Sequence, residues 1–338
     1  MNTRLQAAKE EAVKEYLQPN SSIIGVGVGT KDGKEECVRI YVIQRRDEKL
    51  VSGAQLVKKG KKFSDDVPVD VISFGSFGRH SHSALKDTGT DTQPGSPIGV
   101  KTDVGNINAG ARGTLGAVVT DGKANYVLGC NHILAVNGRV PSNPNAATIV
   151  SAELVGKEVV IGNRDEYVEI YAGDTANVVD CALARITGAA VSPSFPENTV
   201  KLTSEKVAKA QVNRNVSKVG AGTFFTKGKI VDDNVDLYVP YSFLDPALFK
   251  GQFMIESTAE VLEGEPPPFA TNGDSGALVV DELSGQAVGM IFASSGKYAV
   301  ACPIDTVLAE LGDRVKAPLR LVVPNGAVSA TAQSQYRK

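Results

Sequence analysis

The sequence predicts a mainly β protein: an antiparallel barrel or sandwich preceded by a small α/β unit. Three observations carry this. From about residue 98, short runs rich in β-formers recur with turn signals between them: "GTLGAVVT", "NYVLGC", "EVVIG", "VDLYV", "QFMIE", "ALVVD" and "AVGMIFA". Such spacing suits antiparallel strands rather than a parallel sheet with crossover helices. One helix-like stretch, "IDTVLAELG" over 304–312, follows near the end of that region. Ahead of it, a helical pattern and a strand–turn–strand pattern stand together at the start of the chain.

The bulk numbers bound the function. At 338 residues the chain is long enough for about two domains. Its 42% apolar and 22% charged residues are the balance of an ordinary globular protein. A net charge of −2 supplies no general attraction to nucleic acid or to anionic membranes, so neither is an expected partner. No apolar run approaches the ~18 residues of a membrane-spanning helix. The opening "MNTRLQAAKEEAVKEYL" is charged throughout and lacks the apolar core of a secretory leader, which sets the expected location as cytoplasmic. The cysteines Cys37, Cys130, Cys181 and Cys302 are scattered, with no paired spacing for zinc or a redox couple. A reducing compartment fits them.

Residues 3–17 place Leu5, Ala8, Ala12 and Tyr16 at helical spacing with charges between. Next, "SIIGVGVGTKDGKEECVRIYVIQRRD" alternates β-formers around Lys31-Asp32-Gly33, a hairpin turn signal. Its "GVGVG" is not read as a phosphate loop, because such a loop must open a helix and here a second strand follows. The run "KKGKK" over 58–62 is read as a solvated loop. A third strand, Val67 to Gly75, completes an α/β domain assigned to residues 1–78, with a regulatory or interaction role. Residues 79–97 are polar, rich in Ser, Thr and Gly, and without periodicity, which marks a linker. His80 and His82 within it lack the Cys, Asp or Glu pattern that would complete a metal site, and no metal is expected. The β-rich domain is assigned to 98–323, and a flexible polar tail to 324–338.

Within the β-rich domain three residues can carry chemistry. His132 in "YVLGCNHILA" is its single histidine and follows a strand. Asp180 in "NVVDCALARI" stands in an apolar run, so its carboxylate needs a partner to be buried there, and His132 is the economical candidate. Ser275 lies in "TNGDSGALVVD", where glycines let the backbone bend and present a hydroxyl beside free N–H groups. The order is His, Asp, Ser, with separations of 48 and 95 residues.

On these motifs, "CNHILA", "VDCALARI" and "NGDSGALVV", the segment from about 98 to 313 resembles the trypsin-like (chymotrypsin-fold) serine peptidases. The triad of that family has the same order, with separations of about 45 and about 93 residues. Nearly the whole chain, including "IIGVGVGTKDGK", "VRIYVIQ" and "VPVDVI", is similar to leaderless bacterial trypsin-like proteins with a small N-terminal domain. The resemblance implies a double β-barrel and a serine endopeptidase acting on a protein or peptide substrate, with no cofactor. Ser275 would be the nucleophile, His132 the general base and Asp180 its orienting acid, with the N–H groups of Gly273 and Ser275 as the oxyanion hole. Substrate would lie along the strand carrying Phe292, Ala293 and Ser294. The base of the specificity pocket would fall at Phe269, where basic-specific members carry an acid.

Two departures follow from the same resemblance. Cys130, two residues before His132, has no obvious disulfide mate. Secreted members neutralise the acid before the serine with a freed N-terminus, and Asp274 has no evident counterpart of that kind. Activation by a protein partner, or by a cut in 79–97, is therefore an expectation. The competing readings are a non-catalytic peptide-binding scaffold on a peptidase fold, and a lipase-type esterase. In the common lipase version of G-D-S the motif sits near the N-terminus and opens a helix, whereas here it precedes a strand near the C-terminal end.

Overall fold

The computed structural model describes residues 3–19, 21–31, 34–43, 62–63, 66–75, 77, 91–101, 112–138, 149–154, 157–242, 244–260, 266–295 and 297–324. The chain opens with helix α1 (Thr3–Tyr16), followed by strands β1 (Ile23–Lys31), β2 (Glu35–Val42), β3 (Lys62–Phe63) and β4 (Val67–Ser73). Leu5, Ala8 and Ala12 recur on one helical face and are buried against Ile23, Val26, Val38 and Ile40. The first two strands form the expected antiparallel hairpin, and β4 runs parallel to β2.

Two closed rings follow. The first uses β5 (Pro97–Lys101), β6 (Gly113–Thr114), β7 (Ala117–Thr120), β8 (Asn125–Gly129), β9 (Ile149–Leu154), β10 (Lys157–Tyr167) and, beyond β11 (Gly173–Asn177), β12 (Ala182–Ile186). In this ring β5 pairs with β9, β9 with β10, β10 with β12, β12 with β8 and β8 with β7. The β7 line continues back through Leu115 and Gly116 into β6, which pairs with β5 and closes the circuit.

The second ring uses β13 (Asn215–Gly220), β14 (Phe224–Tyr241), β15 (Leu244–Ser257), β16 (Leu278–Asp281), β17 (Ala287–Ser294) and β18 (Tyr298–Pro303). Each strand pairs with its neighbour in the order β13-β14-β15-β18-β17-β16 and back to β13. The mainly β double barrel is the architecture the resemblance implies. Helix α2 (Asn131–Leu134) caps the first barrel, and α3 (Ile304–Val315) runs three residues beyond its expected end. A last strand, β19 (Arg320–Leu321), returns to pair with β7.

Two boundaries differ from the sequence reading. The N-terminal unit is not separate from the second barrel, because β1 pairs with β14 through Gly25↔Leu237 and Val26↔Asp236. Composition could not show this, since "VDLYV" is only part of an 18-residue strand that overshoots the barrel to reach β1. The glycines of "GVGVG" have their reason here. A methyl group on Gly27 would lie 2.1 Å from Asp232 Oδ2. Asp232 is fully buried and accepts hydrogen bonds from the Val28 N–H, the Asn234 N–H and the Tyr41 hydroxyl. A buried carboxylate inside the sheet is tolerable only with such partners.

The second difference is the linker. Its last residues belong to the first barrel: the Gly95 N–H donates to Leu115 O at 2.8 Å, and Thr92 and Ser96 are buried. The Gly-Ser-Pro composition there reflects a tight turn, with Gly95 at φ +99°. His80, His82, most of the 58–62 lysine run and the tail from 325 lie outside the described residues.

Candidate active site

The first barrel carries two of the candidate residues. His132 sits on α2, the single turn that follows β8, and that turn is pinned by its neighbours. The Asn131 side chain donates to Val168 O at 2.6 Å and accepts from the Asn137 N–H at 2.8 Å. Asp180 lies just before β12 and is completely buried. Its Oδ2 is 2.5 Å from His132 Nδ1, and its Oδ1 accepts the His132 N–H at 3.2 Å. The predicted partnership of acid and imidazole is therefore present in the structure.

Sequence reasoning missed a third group in this pair. The Tyr241 hydroxyl, from the end of β14, donates to Asp180 Oδ2 at 2.8 Å, and its ring packs edge-on to His132 with centroids 5.8 Å apart. Burial, and then the neighbouring Asp180, push the Tyr241 hydroxyl well above its ordinary range, so it remains a donor at every working pH. Asp180 thus meets His132 through both oxygens and Tyr241 through Oδ2. Tyr241→Phe is expected to keep the fold and to slow Ser275 chemistry by about 10- to 100-fold, the worth of a hydrogen bond to a buried charge. Reaction rate with a serine-directed probe, measured beside an unchanged melting temperature, checks this.

The second barrel supplies Ser275, on the turn between residues 271 and 277. Gly273 and Gly276 have φ of +99° and +101°, a region that residues with a Cβ rarely enter. The turn is held from the first barrel: the Thr114 N–H donates to Ser275 O at 2.7 Å, and Thr114 Oγ1 donates to Gly273 O at 2.7 Å. A methyl group on Gly113 would meet the Ser275 carbonyl oxygen at 2.6 Å and the Ile133 side chain at 2.7 Å. The serine turn and the histidine turn thus converge on one small position.

The N–H groups of Gly273 and Ser275 have no partner within the chain among the described residues. A methyl group on Gly222 would meet the Asn272 carbonyl oxygen at 2.6 Å. That carbonyl therefore faces Gly222, and across a trans peptide the Gly273 N–H points the opposite way.

The expected substrate strand is β17. Its pairing with β16 runs from Ala287 to Met290, so Phe292, Ala293 and Ser294 have no strand partner on that side among the described residues. Ala293 and Ser294 are partly exposed, whereas the Phe292 ring is buried against Phe249, with centroids 4.8 Å apart. The end of this edge is approached by the N-terminal unit. Phe74 stacks on Tyr298, and a methyl group on Gly75 would lie 3.2 Å from Ser295 O.

Phe269 does not form the floor of an open pocket. Its side chain is fully buried in a core cluster with Ile230, Phe253 and Ile255, and its carbonyl accepts from Thr226 Oγ1 at 2.8 Å. Pro266 to Pro268 form the loop just ahead of Phe269, outside the six residues that separate it from the serine. An open cavity of about 780 Å³ lies beside this loop, lined in part by Thr223, Phe225, Thr226, Pro267, Pro268 and Thr271.

All four cysteines are free and buried. Cys130 Sγ, a His132 ring nitrogen and an Asp180 oxygen lie within 4.8 Å of one another, a grouping that could in principle hold a metal ion. Within this grouping His132 Nδ1 and Asp180 Oδ2 are already engaged with each other at 2.5 Å, and the Cys130 thiol, raised well above its usual range by burial, donates to Ile291 O at 3.3 Å. Among the described residues no helix is long and apolar enough to cross a membrane.

Residues 179–315, which contain both Asp180 and Ser275, match the family model described as Peptidase family S64. Among solved structures, the chain is similar to a glutamic acid specific serine protease at 19% identity, over 68% of this chain and 100% of that one, with a TM-score of 0.44. It is similar to protease A of Thermobifida fusca at 20% identity, over 69% and 100%, with a TM-score of 0.43. A chymotrypsin of Cellulomonas bogoriensis matches at 16% identity, over 69% and 100%, with a TM-score of 0.40. No curated protein matches the chain.

Proposed function

We propose that this protein is a serine endopeptidase that cleaves peptide bonds through an acyl-enzyme formed on Ser275. The observation that carries the reading is the His132–Asp180 contact at 2.5 Å, sheltered by Tyr241 and placed beside a glycine-flanked serine turn. The match of residues 179–315 to a peptidase family supports it.

In this reading Asp180 accepts a hydrogen bond from the His132 Nδ1–H, which keeps the proton on Nδ1 and leaves Nε2 as the acceptor. Ser275 Oγ attacks the carbonyl carbon while its proton passes to His132, and the resulting imidazolium is stabilised by Asp180. The developing oxyanion is received by the Gly273 and Ser275 N–H groups. Collapse of the tetrahedral species expels the amine with the proton from His132, and water then releases the acid by the same steps in reverse roles. The substrate is a protein or peptide, extended along the unpaired edge of Phe292 to Ser294. Residues 79–90, most of the segment whose cutting was expected to activate the enzyme, lie outside those described.

A fluorophosphonate probe tests the reading without knowledge of the substrate. The parent is expected to label, and Ser275→Ala and His132→Ala are expected not to. A folded parent that stays unlabelled, or a Ser275→Ala variant that labels equally, rejects it.

A further inference from the structure

We propose that Thr114 is a positioning residue: its hydroxyl reaches from the first barrel to the Gly273 carbonyl and sets the peptide orientation that aims the Gly273 and Ser275 N–H groups at the oxyanion. The inference rests on the peptidase reading above. Thr114 stands on β6 and is buried. Its Oγ1 accepts the Ala221 N–H, from the turn after β13, at 2.9 Å. The single hydrogen of that hydroxyl then donates to Gly273 O at 2.7 Å. The Thr114 backbone N–H donates to Ser275 O at 2.7 Å. One residue of the first barrel therefore holds two carbonyls of the nucleophile turn.

The order of the peptide planes gives this its consequence. The Ser275 N–H belongs to the peptide that joins residues 274 and 275. The peptides on either side of it carry the Gly273 and Ser275 carbonyls, and Thr114 binds both. The far side is fixed again by the Gly276 N–H, which donates to Ile291 O at 2.7 Å. The Gly273 side has no such second hold on its own torsions. Lacking a Cβ, and at φ +99°, Gly273 has little preference between this orientation and a flipped one. The Thr114 hydroxyl supplies that preference from outside the turn.

The hydroxyl is itself carried on a fixed support. Thr114 pairs with Pro97, the Leu115 N–H donates to Ser96 O at 2.9 Å, and the Gly95 N–H donates to Leu115 O at 2.8 Å. The seam between the barrels leaves no room to slide. A methyl group on Gly276 would lie 2.2 Å from Thr114 O, and one on Gly116 would lie 2.2 Å from Gly276 O. Valine at 114 would keep the branched shape and remove donor and acceptor together. The Gly273 carbonyl would lose the partner that holds it, and rotation of its peptide would no longer cost a hydrogen bond.

The test measures the fluorophosphonate labelling rate of the full chain across probe concentrations, with folding followed by circular dichroism. Thr114→Val is expected to lower the maximal rate by about 100-fold, the lower bound for loss of an oxyanion donor, and to leave the half-saturating probe concentration unchanged. Thr114→Ser, which restores the hydroxyl alone, should label within about threefold of the parent, less than the worth of one hydrogen bond. A folded Thr114→Val whose maximal rate stays within that same limit overturns the proposal. So does a loss that appears only in probe binding, or a Thr114→Ser as slow as the valine variant. Where Thr114→Val does not fold, Thr114→Ala is held to the same limits. If neither folds, the hydroxyl serves the fold rather than the turn, and the proposal falls. A parent that never labels defeats the peptidase reading itself, whereas a labelled parent indifferent to the hydroxyl of residue 114 defeats only the positioning role.

Discussion

Asp180→Asn is expected to lower turnover by about 10⁴-fold with the fold intact, as in a comparable triad where the acid becomes an amide. The physical reason lies in the hydrogen bonds of residue 180. The carboxylate accepts from His132 Nδ1, the His132 N–H and the Tyr241 hydroxyl at once. An amide offers one acceptor oxygen and one donating nitrogen. Facing His132 with its nitrogen, it would hold Nδ1 as the acceptor and leave the proton on Nε2, where it blocks transfer from Ser275. Turned the other way, its nitrogen would take the place of Oδ1 and oppose the His132 N–H. Either way it cannot stabilise an imidazolium. Labelling rate and melting temperature, measured together, separate this chemical loss from unfolding. A loss below about tenfold would mean that Asp180 only packs against the ring.

Lys9→Met is expected to destabilise the whole chain by about 3 to 5 kcal/mol, a large share of the 5–15 kcal/mol typical of folded proteins. Lys9 on α1 is buried, and its Nζ lies 2.7 Å from both Asp236 Oδ1 and Asn234 Oδ1 on β14. Removing the ammonium leaves Asp236 with the Gly251 N–H at 3.0 Å but without its counter-ion. If the N-terminal unit were an independent module, the loss would be confined to it, and a separate early transition would appear. Because β1 continues the sheet of the second barrel, one transition shifted to lower denaturant is expected. Chemical denaturation followed by two probes distinguishes these outcomes.

The sequence made the candidate residues His132, Asp180 and Ser275 legible because they are chemically conspicuous. The β-rich domain has a single histidine, Asp180 interrupts an apolar run, and Gly273 and Gly276 flank the serine turn. Tyr241 was invisible, since it stands 61 residues from Asp180 in "DLYVPY" and nothing local distinguishes it from an ordinary strand tyrosine. Thr114 gave no signal either. In "GTLGAVVT" it reads as an ordinary strand threonine, and its bond to the Gly273 carbonyl spans 159 residues.

The union of the N-terminal unit with the second barrel escaped because strand pairing between residues more than two hundred apart leaves no local pattern. What composition did show there, the glycines of "GVGVG", turned out to report the close approach of the Asp232 side chain. The burial of Phe269 was not legible, because nothing local in "PPPFATNG" shows that its ring joins a core cluster with Ile230, Phe253 and Ile255.

The central claim is that one hydroxyl is activated by a distant imidazole. The most direct measurement is the mass and position of the adduct formed when the full chain meets a fluorophosphonate. A single phosphonyl group on Ser275, absent when His132 is alanine, is the predicted result. A folded chain whose Ser275 stays unmodified while other serines react at the same rate would contradict it.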